Sequence, residues 1–334
     1  GMALVELGKE NKNVVVLDAD LSKSTKTADF KKEFSDRFFN VGIAEQNLMG
    51  MAAGLANVGC VPFASTFAVF ATGRAFEIIR NSICYPKVNV KIAATHAGIT
   101  VGEDGGSHQS IEDIALMNSL PNMTVIVPAD HREAMQATKA AAEIYGPVYL
   151  RFGRCNTEDI FGDDYNFEIG KGTELRAGND VTVIATGMMV QKAIEASKAL
   201  EAEGINVRVI NMSTIKPIDR EIIIKAAKET KGIVTAEEHS IIGGLGAIVS
   251  QVVCSEYPTK VKMVGIQDTF GESGTPNELM NKYGLTAEKI IEEVRSILNY
   301  TLKEKHEIDL NEFVENSIKS DELKESFKEH MEDK

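Results

Sequence analysis

The chain has 334 residues, enough for two domains of roughly 150 residues each. Hydrophobic residues make up 43% and aromatics 6%, and Trp is absent; this suits compact Ala/Val/Ile-rich α/β packing rather than a disordered chain, and no apolar run approaches the ~20 residues that span a bilayer. A net charge of −13 argues against a nucleic-acid surface but leaves room for a locally positive pocket that takes an anionic substrate.

The opening Gly1-Met2-Ala3-Leu4-Val5-Glu6 is not a basic-then-apolar signal peptide, so a cytoplasmic location is expected, and the Gly-Met start suggests that the natural N-terminus is missing. The first ~155 residues alternate strand-like and helix-like segments. Val14 to Leu17 is a buried-strand run leading into Asp18-Ala19-Asp20. Phe38 to Val41 precedes Gly42, and Ala44 to Ala56 reads as a small-residue helix. Val61 to Phe67 is a strand, Phe70 to Ile83 a helix, and Val88 to Ala94 a strand that enters the Gly-rich loop Thr95 to Ser110. Thr124 to Val127 precedes Pro128. Asp130 can cap a helix over Arg132 to Ile144, with His131 a capping or surface residue. Val148 to Phe152 closes the set, and such alternation implies a parallel sheet covered on both faces.

A polar, irregular stretch follows, with a linker expected over 161–178. A second, smaller α/β domain is expected over 179–299, with strands at Val181 to Ala185, Val207 to Ile210, Gly232 to Ala236 and Val261 to Ile266. Its helix Met189 to Glu203 ends at Gly204, a good residue for terminating a helix. The fold class is therefore two doubly wound, mostly parallel-sheet domains, 1–160 and 179–299, followed by an acidic tail, 300–334. That tail reads equally as a docking helix or a solvated end. Cys60, Cys84, Cys155 and Cys254 are widely spaced without a CxxC pair, as expected of reduced core residues.

Ligands of open parallel sheets gather at the C-terminal ends of strands, where several polar clusters fall. Asp18 to Thr25 could simply cap the next helix. Glu45 opens a helix whose stretch Leu48 to Val58 carries no charge. Dipole compensation alone would explain it, but an approach to buried surroundings would disfavour its ionised form and make it a useful acid/base group. Phe67 and Phe70 could pack in the core or stack a flat heteroaromatic ring. The loop Thr95 to Gln109 is the most specific cluster, holding His96, Asp104 and His108 among four glycines. A metal site is the rival reading there, but the two His lack helical ligand spacing and no Cys lies nearby in sequence. In Arg151-Phe152-Gly153-Arg154 either Arg could bind phosphate or form a surface ion pair. His239 in Glu237-Glu238-His239 has no assigned role, and the glycines of Gly243-Gly244-Leu245-Gly246 could bind an anion at a helix start or serve tight helix–strand packing.

Taken together, Asn40-Val41-Gly42-Ile43-Ala44-Glu45-Gln46, Ser65-Thr66-Phe67 and Gly102-Glu103-Asp104-Gly105 with His108-Gln109 resemble the C-terminal half of transketolases, over nearly all of residues 3–298. The resemblance implies that Glu45 hydrogen-bonds the aminopyrimidine of thiamine diphosphate and favours the imino tautomer that takes the thiazolium C2 proton. It implies an aromatic pocket of Phe67 and Phe70, Phe70 being the better stacking candidate, with Gly73 where the family often has a third aromatic. Asp20 and Leu21 fall near the cofactor at a subunit contact. His96 and His108 match substrate-channel histidines that bind sugar hydroxyls and assist proton transfer. Asp104 matches a reader of a substrate hydroxyl, and Ser24 and Arg154 match a phosphate clamp. A family arginine expected just before Gly1 is absent, which fits a cut-back start.

The Gly-Asp-Gly…Asn constellation that holds diphosphate and a divalent cation in such enzymes is not found in this sequence. The resemblance therefore implies that no metal is bound by this chain alone. Thiamine diphosphate and Mg²⁺ or Ca²⁺ would be anchored mainly by an N-terminal partner subunit, in an assembly with two of each chain and sugar phosphates as substrates. The related alternatives are a 1-deoxyxylulose-5-phosphate synthase-like subunit, which commonly has Asp-Arg-Ala-Gly where Thr95-His96-Ala97-Gly98 stands, and a 2-oxoacid dehydrogenase beta-like subunit, which usually lacks the His108-Gln109 pairing. A non-catalytic scaffold would keep the fold but lose Glu45 or the histidines.

Overall fold

The computed structural model describes residues 1–299; the tail reading for 300–334 lies outside the described residues. A first sheet holds β1 (Val14–Asp18), β2 (Phe38–Asn40), β3 (Val61–Phe67), β4 (Lys91–Thr95), β5 (Thr124–Ile126) and β6 (Val148–Arg151). These strands are parallel, in the order β5-β6-β4-β3-β1-β2. Every residue of β1, β3 and β6 is buried, as a sheet covered on both faces requires. The second sheet holds β7 (Thr173–Arg176), β8 (Val181–Ala185), β9 (Val207–Asn211), β11 (Ile233–Ser240) and β12 (Val261–Ile266), in the order β12-β11-β8-β9-β7. The strand between them in sequence, β10 (Thr214–Lys216), leaves its own domain and pairs antiparallel with β5 of the first sheet.

The helices of the first domain are α1 (Met2–Glu10), α2 (Ala28–Glu33), α3 (Glu45–Asn57), α5 (Asp113–Ser119), α6 (His131–Glu143) and, between α3 and α5, the three-residue α4 (Phe76–Ile78). The second domain adds α7 (Met189–Glu201), α8 (Arg220–Glu229), α9 (Leu245–Glu256) and α10 (Pro276–Lys282). Asp130 caps α6 by accepting from Glu133 N at 2.8 Å, leaving His131 on the surface beside Asp159. α10 opens with a reciprocal cap between Thr275 and Glu278 and Pro276 in its first turn.

Several sequence expectations change. The helix expected over Phe70 to Ile83 is broken: π-helical turns at Phe70–Arg74 and Ile79–Cys84 flank α4. The strand expected from Val88 starts at Lys91. Residues 161–178, expected as linker, supply β7, an edge strand antiparallel to β9. The four cysteines are free, but only Cys84 is a buried core residue; Cys254 is exposed. Among the described residues no helix is long and apolar enough to cross a membrane.

Candidate functional site

The C-terminal ends of β1, β2, β3, β4 and β6 release the segments that carry the sequence-predicted groups, so parallel topology gathers them at one sheet edge. The loop after β1 is organised by buried Asp18, which accepts from Leu21 N, Thr25 Oγ1 and Thr27 Oγ1 at 2.6, 2.7 and 2.8 Å. Asp20 is fixed from the other side: its N–H donates to Asn40 Oδ1 and its Oδ1 accepts from Asn40 Nδ2. Asp20, Lys26 and His96 all have positive φ, and only Lys87 and Asn122 share that among the described non-glycine residues. Such conformations each cost of order 1–3 kcal/mol and concentrate at functional sites.

Glu45 takes the first position of α3 and is 2% exposed. Its Oε2 meets Arg74 Nη1 at 3.4 Å, and its other oxygen has no hydrogen-bond partner among the described residues. Arg74 also stands 5.5 Å over the Phe70 ring and, through its carbonyl, accepts from Gln46 Nε2. Phe70 stacks with Phe67 at 6.1 Å between centroids and meets His108 edge-on at 5.4 Å. Phe67 in turn stacks on His96 at 4.0 Å. A continuous line of contacts thus joins Glu45, Arg74, Phe70, Phe67, His96 and His108. Phe67 is buried between two rings, whereas Phe70 is half-buried. A Cβ added at Gly73 would meet nothing within 4 Å, so the place of a third aromatic is open space. Arg74 was missed in the sequence; a single Arg after Gly73 carries no pattern, and only the fold brings it to Glu45.

His96 is 9% exposed and burial, reinforced by the Arg154 charge, lowers its pKa to about 4. Its ring is neutral at pH 7, with Nδ1 3.0 Å from Thr95 Oγ1. Arg154 lies across the same opening, pairing with Glu103 at 3.6 Å and Asp104 at 3.8 Å and donating to Val101 O. Ser24, Lys26, His96 and Arg154 line one cleft of about 330 Å³. Most of the predicted site residues therefore fall into two adjoining groups, an aromatic–carboxylate group and this polar cleft, with His96 belonging to both, while Asp20 and Leu21 stay in the loop after β1, hydrogen-bonded to Asn40 and Asp18.

Arg151 is not available as a phosphate ligand. It is buried in an ion pair with Asp113 at 2.7 Å and donates to Glu238 O at 2.9 Å. Although burial opposes it, the Arg151 charge holds the Asp113 carboxyl below its usual range. The question left by the glycines near 244 is settled by the chain itself: Leu245 N and Gly246 N donate to Glu237 at 2.7 and 2.8 Å. The anion at the start of α9 is a side chain of β11. Burial pushes the Glu237 carboxyl up to about 7 against the pull of those two donors. His239 is buried and neutral, its pKa lowered by burial to about 4; Nδ1 lies 2.6 Å from Ser240 O and Nε2 accepts from Ala115 N.

The second domain also grips the loop after β4. Glu238 accepts from Thr100 N at 2.8 Å, and Gln109 Nε2 donates to Glu272 O at 2.9 Å. Gly98 has φ +83, and a Cβ there would lie 2.2 Å from the Glu238 carboxyl carbon, so this position requires glycine twice over. Among the described residues no group of three His, Cys, Asp or Glu is placed to hold a metal ion.

The geometry can be set beside known proteins. The family model described as transketolase, pyrimidine binding domain, matches residues 1–159, and that described as transketolase, C-terminal domain, matches residues 170–290. A protein named as a transketolase C-terminal section, from Methanocaldococcus jannaschii, is 54% identical over 297 residues, 88% of this chain and 93% of that one. A split-gene transketolase solved as an inactive β4 tetramer is 61% identical, with a TM-score of 0.84 over 89% of this chain and 96% of that one. Transketolase of Homo sapiens is 37% identical over 302 residues, 89% of this chain but 48% of the human protein.

Proposed function

Since the chain belongs to the transketolase family, we propose that it is the C-terminal section of a split enzyme, one subunit of a two-chain transketolase that moves a two-carbon ketol unit from a ketose phosphate to an aldose phosphate. The observation that carries the reading is the buried Glu45 carboxylate, one oxygen without a hydrogen-bond partner among the described residues, joined through Arg74 to the half-buried Phe70 ring. A buried carboxylate lacking a full set of partners is costly, and an aminopyrimidine offers both the missing hydrogen bond and a ring to stack on Phe70. The residues present therefore fit thiamine diphosphate at its pyrimidine end. Bound there, the cofactor supplies an electron sink for the two-carbon carbanion.

This chain's own part follows from its geometry. Glu45 holds and exchanges a proton with a ring nitrogen. Phe70 orients the ring, and Phe67 and His96 close one wall against water. His96, neutral at pH 7, can both accept from and donate to substrate hydroxyls, and His108 flanks it across Phe70. Asp104 reads a hydroxyl, while Ser24 and Arg154 receive the phosphate. Positioned proton transfer of this kind is worth about 10²–10⁴-fold in rate.

A partner requirement is supported by the relatives. The chain spans 48% of human transketolase, and the split-gene relative is inactive as a tetramer of one chain type. The N-terminal partner would supply the diphosphate and Mg²⁺ or Ca²⁺ anchors, and self-association of this chain would pair the sites near Asp20 and Leu21. The test mixes this chain with an N-terminal transketolase subunit, Mg²⁺ and thiamine diphosphate and follows transfer from xylulose 5-phosphate to ribose 5-phosphate. Turnover that needs both chains is expected. Cofactor binding without any transfer would favour a scaffold role and defeat the proposal.

A further inference from the structure

The geometry points to Lys26 as a specificity-determining cation of the cleft, binding the phosphate end of the sugar substrate. The inference rests on the ketol-transfer reading and adds a residue to it. The cleft, about 330 Å³, is large enough for a sugar phosphate. Three other side chains that could present positive charge line it, and each is spoken for. Arg154 shares its charge with Glu103 and Asp104 and gives a hydrogen bond to Val101 O. His131 is 2.6 Å from Asp159. His96 is neutral at pH 7, held so first by burial and then by the charges of Arg154 and Lys26.

Lys26 is the exception. It forms no ion pair and its Nζ has no hydrogen-bond partner among the described residues, although it lines the same cleft. Ser24 Oγ, two residues earlier, likewise has no hydrogen-bond partner among the described residues, whereas Thr25 Oγ1 between them is committed to Asp18. The loop after β1 therefore presents two free donors, a hydroxyl and an ammonium, from alternate positions. Lys26 also has φ +63, a strained conformation that in this region it shares with Asp20 and His96. A phosphate dianion seated on Ser24 and Arg154 alone would meet a guanidinium already facing two carboxylates. Lys26 supplies the uncompensated charge, and an ammonium on a flexible stem suits phosphate as a point charge.

The experiment uses the assembled two-chain enzyme with thiamine diphosphate and Mg²⁺ and compares xylulose 5-phosphate with an unphosphorylated donor, hydroxypyruvate. Lys26→Ala is expected to raise KM for the phosphorylated donor about tenfold or more, as loss of a charge-assisted hydrogen bond implies. kcat, and both constants for hydroxypyruvate, should hold, and Lys26→Arg should recover most of the loss. Equal effects on both donors, or none, would overturn the inference. Calorimetric binding of ribose 5-phosphate against ribose to the same assemblies gives a readout independent of turnover. If the unsubstituted enzyme transfers nothing, the proposed reaction falls. Lys26 still stands if Lys26→Ala weakens only ribose 5-phosphate binding, and falls if that binding is unchanged.

Discussion

Glu45→Gln separates a catalytic carboxylate from a structural one, because the structure predicts opposite magnitudes for the two properties. The change keeps side-chain volume and removes the charge. The ion pair it breaks is weak: Arg74 is 3.4 Å away and its side chain is 57% exposed, so solvent screening leaves it at most about 1 kcal/mol. Loss of a carboxylate from the first turn of α3 removes about 0.3–1 kcal/mol more. Against both stands the desolvation of a carboxylate that is 2% exposed, several kcal/mol, of which a buried amide still incurs about 1–3 kcal/mol, so the relief is about 1–2 kcal/mol. The net effect on stability is expected to lie within about 1 kcal/mol of zero, a Tm change of ~2–4 °C at most.

Catalysis should respond quite differently. Removing a positioned proton-transfer group slows turnover about 10²–10⁴-fold, which is roughly 2.7–5.5 kcal/mol of barrier. The assay is ketol transfer at saturating thiamine diphosphate, with urea unfolding of the same preparation as the structural control. Turnover within about threefold of the unsubstituted enzyme would refute the catalytic reading. A stability loss above about 3 kcal/mol would show that Glu45 is retained for packing instead.

Two further substitutions test the contacts between the domains. Gly98→Ala forces a side chain into φ +83 and into the Glu238 carboxyl, and should cost about 3 kcal/mol or more in urea unfolding. Combined with Glu238→Ala it should cost clearly less than the sum of the two single changes, and strict additivity would contradict the contact. His239→Gln tests a titration: the folded pKa of about 4 lies below the ordinary 6.5, so between those values the unfolded chain binds a proton that the folded chain does not. Stability present above pH 6.5 is therefore lost as pH falls toward 4, at about 1.4 kcal/mol per unit. His96, with the same folded pKa of about 4, adds an equal slope to both chains, so the variant's curves from pH 7 to 4 should be shallower than those of the unsubstituted chain by the His239 share alone, and identical curves would mean that His239 is solvated.

Legibility in the sequence followed locality. β1 and β8 are short runs rich in β-branched residues, and their burial on both faces made them plain. Asp130 announced the start of α6 because a cap is a contact over three residues. What failed was non-local. β10 is three residues long and is a strand only because β5, some 90 residues earlier, offers an edge. The π turns around α4 leave no mark in residue type, since the same side chains would make an ordinary helix. Arg151 looked like Arg154 in sequence, but a carboxylate 38 residues away claims it. The glycines at 243–246 were ambiguous for the same reason, their anion being Glu237 on the neighbouring strand.

The second domain has a stronger claim on the chemistry than its lack of site residues suggests. His96, Asp104 and His108 ride on one loop that is irregular apart from a short 3-10 helix, Ile99–Asp104, and irregular backbone must find its order in partners outside itself. Here those partners come from across the domain boundary: Glu238 at Thr100 N, Glu272 O at Gln109, and Ser273 and Gly271 against the bare faces of Gly105 and Gly106. Arg151 ties the same strand back to the first domain through Glu238 O. A displacement of about 1 Å at reacting groups can cost 10²-fold in rate, so anchors of this kind act on turnover without touching substrate. A domain whose hydrogen bonds hold the loop carrying His96 and His108 beside the Phe67–Phe70 stack cannot drift relative to its neighbour without moving these two candidate-site histidines, and this gives a physical reason for one chain to carry both domains.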